Sequence, residues 1–124
     1  MTGKACISVT KYYDAKTHRH GLKNRPVLII GHSDGSDYVA LPVSRITHSE
    51  NIDTSYDFPM EIEDYPDMKL VKKSYVRTHK QFIVNEKDIA KVICNFAAKY
   101  SDSYLDILAR VDRFHAELMT NALG

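Results

Sequence analysis

The sequence predicts a mainly β protein, a small and strongly curved antiparallel sheet partly closed into a barrel and covered by one C-terminal helix. Three observations lead there. Short stretches rich in β-branched and aromatic residues recur between Cys6 and Phe96, punctuated by Gly, Pro, Asp and Ser. Two of them flank Asp34-Gly35, a good hairpin signal. From Ser101 onward the apolar period changes from two to three and four, as an amphipathic helix requires. At 124 residues, with 44% hydrophobic and 27% charged side chains, the chain fits one domain, residues 1–124, of ordinary globular composition.

Each element has its own warrant. Cys6–Tyr13 alternates apolar and polar residues and makes a first strand. Asp14–Asn24 reads as a polar loop. Arg25–Gly31 is the strongest core strand, with four consecutive aliphatics stopped by Gly31. Pro26 offers no N–H and belongs at its beginning or on an edge. Ser33–Ser36 is the turn, and Tyr38–Ser44 alternates again, with Val39, Leu41 and Val43 on one face and Ser44 on the other. The resulting hairpin carries Arg25 and Ser44 to the same end.

Arg45–Ser55 is polar and long enough for a functional loop. Phe58–Ile62 makes a short edge strand, and Asp64–Lys69, with Pro66, another turn. Ser74–Phe82 contains no Gly, Pro, Asp or Asn and reads as one continuous strand. Asn85 caps a helical turn through Asp88, and Val92–Phe96 is the last strand. In the helix, Leu105, Leu108, Val111 and Leu118 share a face with Ile107 and Phe114. Ser101 is its expected cap, Asp102 suits the positive end of the dipole, and Asp106 pairs with Arg110. His115, on the apolar side, reads as a packed or snorkelling residue.

Net charge is +1, so any polyanion site must come from local clustering. Cys6 and Cys94 are the only cysteines and offer neither a disulfide framework nor metal-ligand spacing. The first residues lack the apolar core of a secretory signal, and no apolar run is long enough to cross a bilayer. A cytoplasmic protein with no membrane association is the expectation. Phosphate-binding, dinucleotide, zinc-protease and nucleophile-elbow motifs are all missing. Glu61, Glu63, Asp64 and Asp67 read as solvated surface rather than a metal cage, and no cofactor is called for.

Two local clusters remain. His18, Arg19, His20 and Lys23, together with Lys16, make the Asp14–Asn24 loop basic. Such a loop contacts phosphates or is simply solvated. On the Ser74–Phe82 strand, alternation places Tyr75, Arg77, His79 and Gln81 on one face. Residues two apart on a strand are separated by about 6.5–7 Å, so Arg77 and His79 could straddle one phosphate. A wet strand face is the plainer reading of the same pattern.

Arg25-Pro26-Val27-Leu28-Ile29-Ile30 resembles the Arg-Pro-Val-Leu-Val-Ile strand of MazF/PemK-type toxins, the endoribonucleases of bacterial toxin–antitoxin systems. The resemblance runs from about Cys6 through the final helix. Aligning Ser74 with the Ser that opens the family's penultimate strand continues without a gap to Val92–Phe96. This register sets Phe82–Asn85 on the family's Arg-Thr-Ile-Asp run, losing that arginine. It places Arg77 where PemK-like members carry a catalytic arginine, and His79 where they carry an acidic residue. Ser44 falls on a catalytic Thr or Ser.

The resemblance implies an SH3-like antiparallel barrel of the CcdB/PemK type and a metal-independent, sequence-specific endoribonuclease. Single-stranded RNA would be cut by 2′-OH attack, leaving a 2′,3′-cyclic phosphate. The implied catalytic set is Arg25, Ser44, Arg77 and His79. His79 would move the proton, Arg25 and Arg77 would hold the phosphate, and Ser44 would bond a nonbridging oxygen. The RNA contacts expected with them are His18, Arg19, His20, Lys23, Arg45, Tyr75 and Gln81, with Tyr75 a stacking surface. Phe82 flanks the site but reads as core. A homodimer silenced by a cognate antitoxin is also implied. Two alternatives share the fold: a non-enzymatic gyrase-binding poison like CcdB, acting through the C-terminal helix, and a degenerate module that binds RNA without cutting it.

Overall fold

The computed structural model describes residues 1–124. Seven strands are present: β1 (Ala5–Asp14), β2 (Arg19–His32), β3 (Asp37–Ser44), β4 (Asp57–Met60), β5 (Ser74–Arg77), β6 (Phe82–Asn85) and β7 (Ile89–Cys94). They are followed by the short helix α1 (Phe96–Lys99) and the long helix α2 (Ser101–Leu123). One curled antiparallel sheet runs in the order β4-β5-β3-β2-β1-β7. β3 forks: Asp37–Ala40 pair with β6, while Val43 and Ser44 pair with β5. The mainly β class and the closing helix agree with the sequence, as does β4 at an edge.

The four aliphatics of β2 are a continuous run because both faces are covered. Leu28 enters a large core with Leu41, Met60, Phe96 and Ile107. Val27 and Ile29 enter a smaller one with Cys6, Ala40 and Val84. A register shift between Ile29 and Gly31 bulges the strand and curls the sheet. Gly35 takes a positive φ of 57° in the β2–β3 turn, where L side chains are disfavoured. Asn85 does cap its turn, accepting from the Lys87 N–H at 3.0 Å.

Five expectations are corrected. The basic loop Asp14–Asn24 is mostly strand: β1 and β2 pair without interruption from Ala5↔Leu28 to Asp14↔Arg19, leaving only Ala15–His18 as the turn. Cross-strand side chains hold this arm together in place of a buried face. The Lys23 ammonium lies 4.6 Å over the Tyr12 ring, and the Tyr13 and His20 rings are 5.3 Å apart. Gly21 leaves room for Tyr12, since a Cβ there would sit 2.7 Å from the ring. Pro26 is therefore in mid-strand, opposite Ile7, just outside the stretch paired with β3.

The nine residues Ser74–Phe82 form two strands. β5 ends at Arg77, where Thr78 turns inward and its hydroxyl and N–H both donate to the Tyr56 carbonyl. The Lys80 N–H then closes a turn onto the Arg77 carbonyl at 3.1 Å. At the other end of the sheet, the last strand stops at Cys94. Phe96, fully buried, opens α1, which Asn95 caps through the Ala98 N–H. Ser101 is thus the first residue of α2 rather than its cap, and Tyr100 stands at the cap position.

The helix buries Ile107 and Val111, but Leu105 and Leu118 are 64% and 53% exposed. Further along, Phe114 packs on Tyr56 and His79, but Leu118, Met119 and Leu123 beyond it remain exposed. No helix is long and apolar enough to cross a membrane.

Candidate nucleic-acid interface

A hollow of about 450 Å³ opens along β2, beside the end of β3. Lys23, Arg25, Ser44, Arg45 and Lys69 stand around it, over apolar residues that include Ile7 and Met68. β2 delivers Lys23 and Arg25, β3 ends on Ser44, and Lys69 comes from the segment before β5. No acidic residue lines the hollow. Its four cations make no ion pair and donate no side-chain hydrogen bond within the chain. Four uncompensated positive charges around one concavity form a local anion site on a chain of net charge +1.

A shallower hollow adjoins it and shares Ser44 and Arg45. Its other walls include Thr47, Asn51, Arg77 and Lys80. Arg77 is anchored from behind. Its Nε donates to Asp57 Oδ1 at 3.1 Å and its Nη2 to the Asn51 carbonyl at 3.4 Å. The Asp57 side chain is fully buried and also accepts from the Asp53 N–H at 2.8 Å. A quarter of the Arg77 side chain remains exposed, so the guanidinium is both fixed and accessible.

His79 lies behind this pair. Its side chain is 11% exposed, and Nδ1 is sealed without a hydrogen bond, 3.8 Å from Asp57 Oδ1. Tyr56 and Phe114 pack on the ring at centroid distances of 5.8 and 6.2 Å. Burial holds its pKa below the ordinary histidine value. The nearby Asp57 charge opposes that shift, and Arg77 adds to it. The ring is accordingly neutral near pH 7, so its contact with Asp57 is not an ion pair.

Arg25, Ser44, Lys23 and Arg45 therefore come together in one hollow, and Ser44, Arg45 and Arg77 in the next. His79 lines neither, contrary to the expectation that it converges with Arg25 and Arg77 on one pocket. Because the strand ends at Arg77, the alternation that would have aimed His79 beside it is lost. Gln81 is turned to the helix, where its Oε1 meets His115 Nε2 at 2.8 Å. Tyr75 is buried in β5 with Lys73 5.4 Å over its ring, so it offers no open stacking face. His18, Arg19 and His20 are exposed at the tip of the β1–β2 arm, with Tyr13 Oη and His18 Nδ1 3.1 Å apart.

Sequence reasoning missed Lys69, Lys80 and Asp57. The two lysines sit in turns that carry no motif. Asp57, an acid between aromatic residues on a short strand, was the one available signal of a buried charge. No protein-family model matches the chain, and no curated protein matches it either.

Proposed function

We propose that the chain is a metal-independent, sequence-specific endoribonuclease of the MazF/PemK type, built on an SH3-like barrel of the CcdB/PemK kind. The observation that carries this reading is the cationic hollow at Arg25 and Ser44, free of carboxylates and continuous with Arg77 through Ser44 and Arg45. A phosphodiester meets there two guanidiniums that stay charged at any working pH and a hydroxyl that can bond a nonbridging oxygen.

In the reaction, the ribose 2′-oxygen forms a bond to phosphorus and gives up its proton. The P–O5′ bond then breaks, and the 5′-oxygen leaves with a proton. Arg25 and Arg77 stabilise the extra negative charge of the phosphorane. His79 is the member of the set able to move a proton, held neutral by burial, but its ring lines neither hollow and must come forward to accept the 2′-OH proton and return it to the 5′-oxygen. By the same resemblance, the working form is a homodimer restrained by a cognate antitoxin.

The recessed position of His79 favours a second reading, in which the same surface binds single-stranded RNA without cutting it. Incubating pure protein with a long RNA in EDTA and mapping the new 5′ ends decides between the two. Cleavage at a recurring short motif, with the matching DNA left intact, supports the nuclease. RNA that stays whole while binding in a salt-sensitive way leaves the binding module.

A further inference from the structure

We infer that Lys69 is a phosphate ligand, forming with Lys23 a second backbone subsite in the Arg25 hollow for single-stranded RNA. The inference rests on the reading of that hollow as the RNA site. It begins from the backbone. Lys69 has φ 53° and ψ 41°, in the left-handed region, and it closes the turn Pro66–Met68 by donating its N–H to the Pro66 carbonyl. Glycine satisfies such a turn without strain, whereas a long side chain does not. His18 is the only other non-glycine residue with a positive φ.

Nothing inside the chain compensates that strain. Lys69 makes no ion pair and no side-chain hydrogen bond, although Glu63, Asp64 and Asp67 precede it closely. Its neighbour Lys73, by contrast, is tied to Glu61 at 2.9 Å. Met68 is buried and Leu70 packs against the same core, so the backbone on both sides of Lys69 is fixed. An unpartnered cation on a strained but fixed stretch of backbone, on the wall of an anion site, suits a phosphate contact.

The test uses a single-stranded 2′-O-methyl RNA oligomer, which lacks the nucleophilic hydroxyl and cannot be cut by this chemistry. Its binding is followed by fluorescence anisotropy between 50 and 200 mM salt, alongside thermal unfolding of the same proteins. Lys69→Gly weakens binding at the lowest salt by about threefold to tenfold and flattens the log–log salt slope by about 0.7, the value for one lost contact to a single strand. Its unfolding midpoint stays level or rises. Lys69→Arg retains binding, and Lys87→Ala, an exposed change in the turn before β7 and away from the hollow, leaves the slope unaltered.

Unchanged affinity and slope in Lys69→Gly, with wild-type binding intact, overturn the subsite and spare the RNA reading. Failure of the wild-type protein to bind the oligomer overturns both. Binding that depends on Lys69, with natural RNA left uncut, keeps the subsite and rejects the nuclease.

Discussion

Removing the Asp57 carboxylate is expected to weaken the fold and release Arg77 in one step. The side chain is fully buried and receives two good hydrogen bonds, from Arg77 Nε at 3.1 Å and from the Asp53 N–H at 2.8 Å. Hydrogen bonds to a charged group contribute about 1.5–3 kcal/mol each. Breaking a buried pair by deleting one partner costs about 3–5 kcal/mol when the other charge is stranded. Arg77 is a quarter exposed and can turn to water, so the lower end applies, about 3 kcal/mol for Asp57→Ala.

For a domain of this length, that corresponds to a fall in Tm of about 10–15 °C. Asp57→Asn keeps the shape and an acceptor for the Asp53 N–H, and should lose roughly half as much. Differential scanning calorimetry measures both variants. In the cleavage assay, the freed guanidinium should lower kcat more than it raises KM, because Arg77 is assigned to the phosphorane. A melting point for Asp57→Ala within about 3 °C of wild type would refute the reasoning, since the pair would then be dispensable.

Arg25→Ala or Ser44→Ala should each reduce RNA cleavage by about tenfold to a thousandfold with the melting point little changed, read by gel assay on one oligonucleotide. The pH dependence follows from His79. Its folded pKa is depressed, so as pH falls through about 6.5 the unfolded chain takes up a proton that the folded chain resists. Stability should therefore decline on acidification below that point until the folded imidazole itself titrates. Urea midpoints at pH 7.5, 6.5 and 5.5 should show this slope in wild type and lose part of it in His79→Gln; parallel curves would remove His79 as the cause. If His79 takes the 2′-OH proton, His79→Ala slows cleavage by about 10²–10⁴-fold and the acid limb of the rate profile lies below pH 6.5. Thr78→Val should cost about 1 kcal/mol by equilibrium unfolding, since its buried hydroxyl donates to the Tyr56 carbonyl.

What the sequence disclosed, and what it hid, follows from which forces act locally. The Val27–Ile30 run, the Asp34-Gly35 turn and the Asn85 cap declare themselves through near-neighbour chemistry, and all three are where the residues place them. The site's two ends, Arg25 and Ser44, were legible for the same reason: a short hairpin fixes both. The split of Ser74–Phe82 was not. It is imposed by the Tyr56 carbonyl, twenty-two positions before Thr78, which captures that residue's hydroxyl and N–H. A turn made by a distant acceptor leaves no Gly, Pro or Asn behind it. The β1–β2 arm was hidden differently, because its polar residues are those of a strand with no core to face, and polarity alone resembles a loop.

The same distant contacts explain why the helix matters to a surface it does not line. α2 grips the segment Asp53–Asp57 along its length. Arg110 Nη1 donates to the Asp57 carbonyl at 3.1 Å, Arg113 donates to the Ser55 carbonyl, and the Tyr56 hydroxyl donates to Glu117. On its other side, that segment supplies the carboxylate that holds Arg77 and the carbonyl that ends β5. The guanidinium in the second hollow is therefore held by a strand that is itself pinned by the helix. Arg77 is held through a segment that α2 pins, whereas Arg25 is paired with Ser8 of β1 and Ser44 with Tyr75 of β5. Loosening α2 at Arg110 should thus impair the Arg77 half of the surface first and spare the Arg25 half.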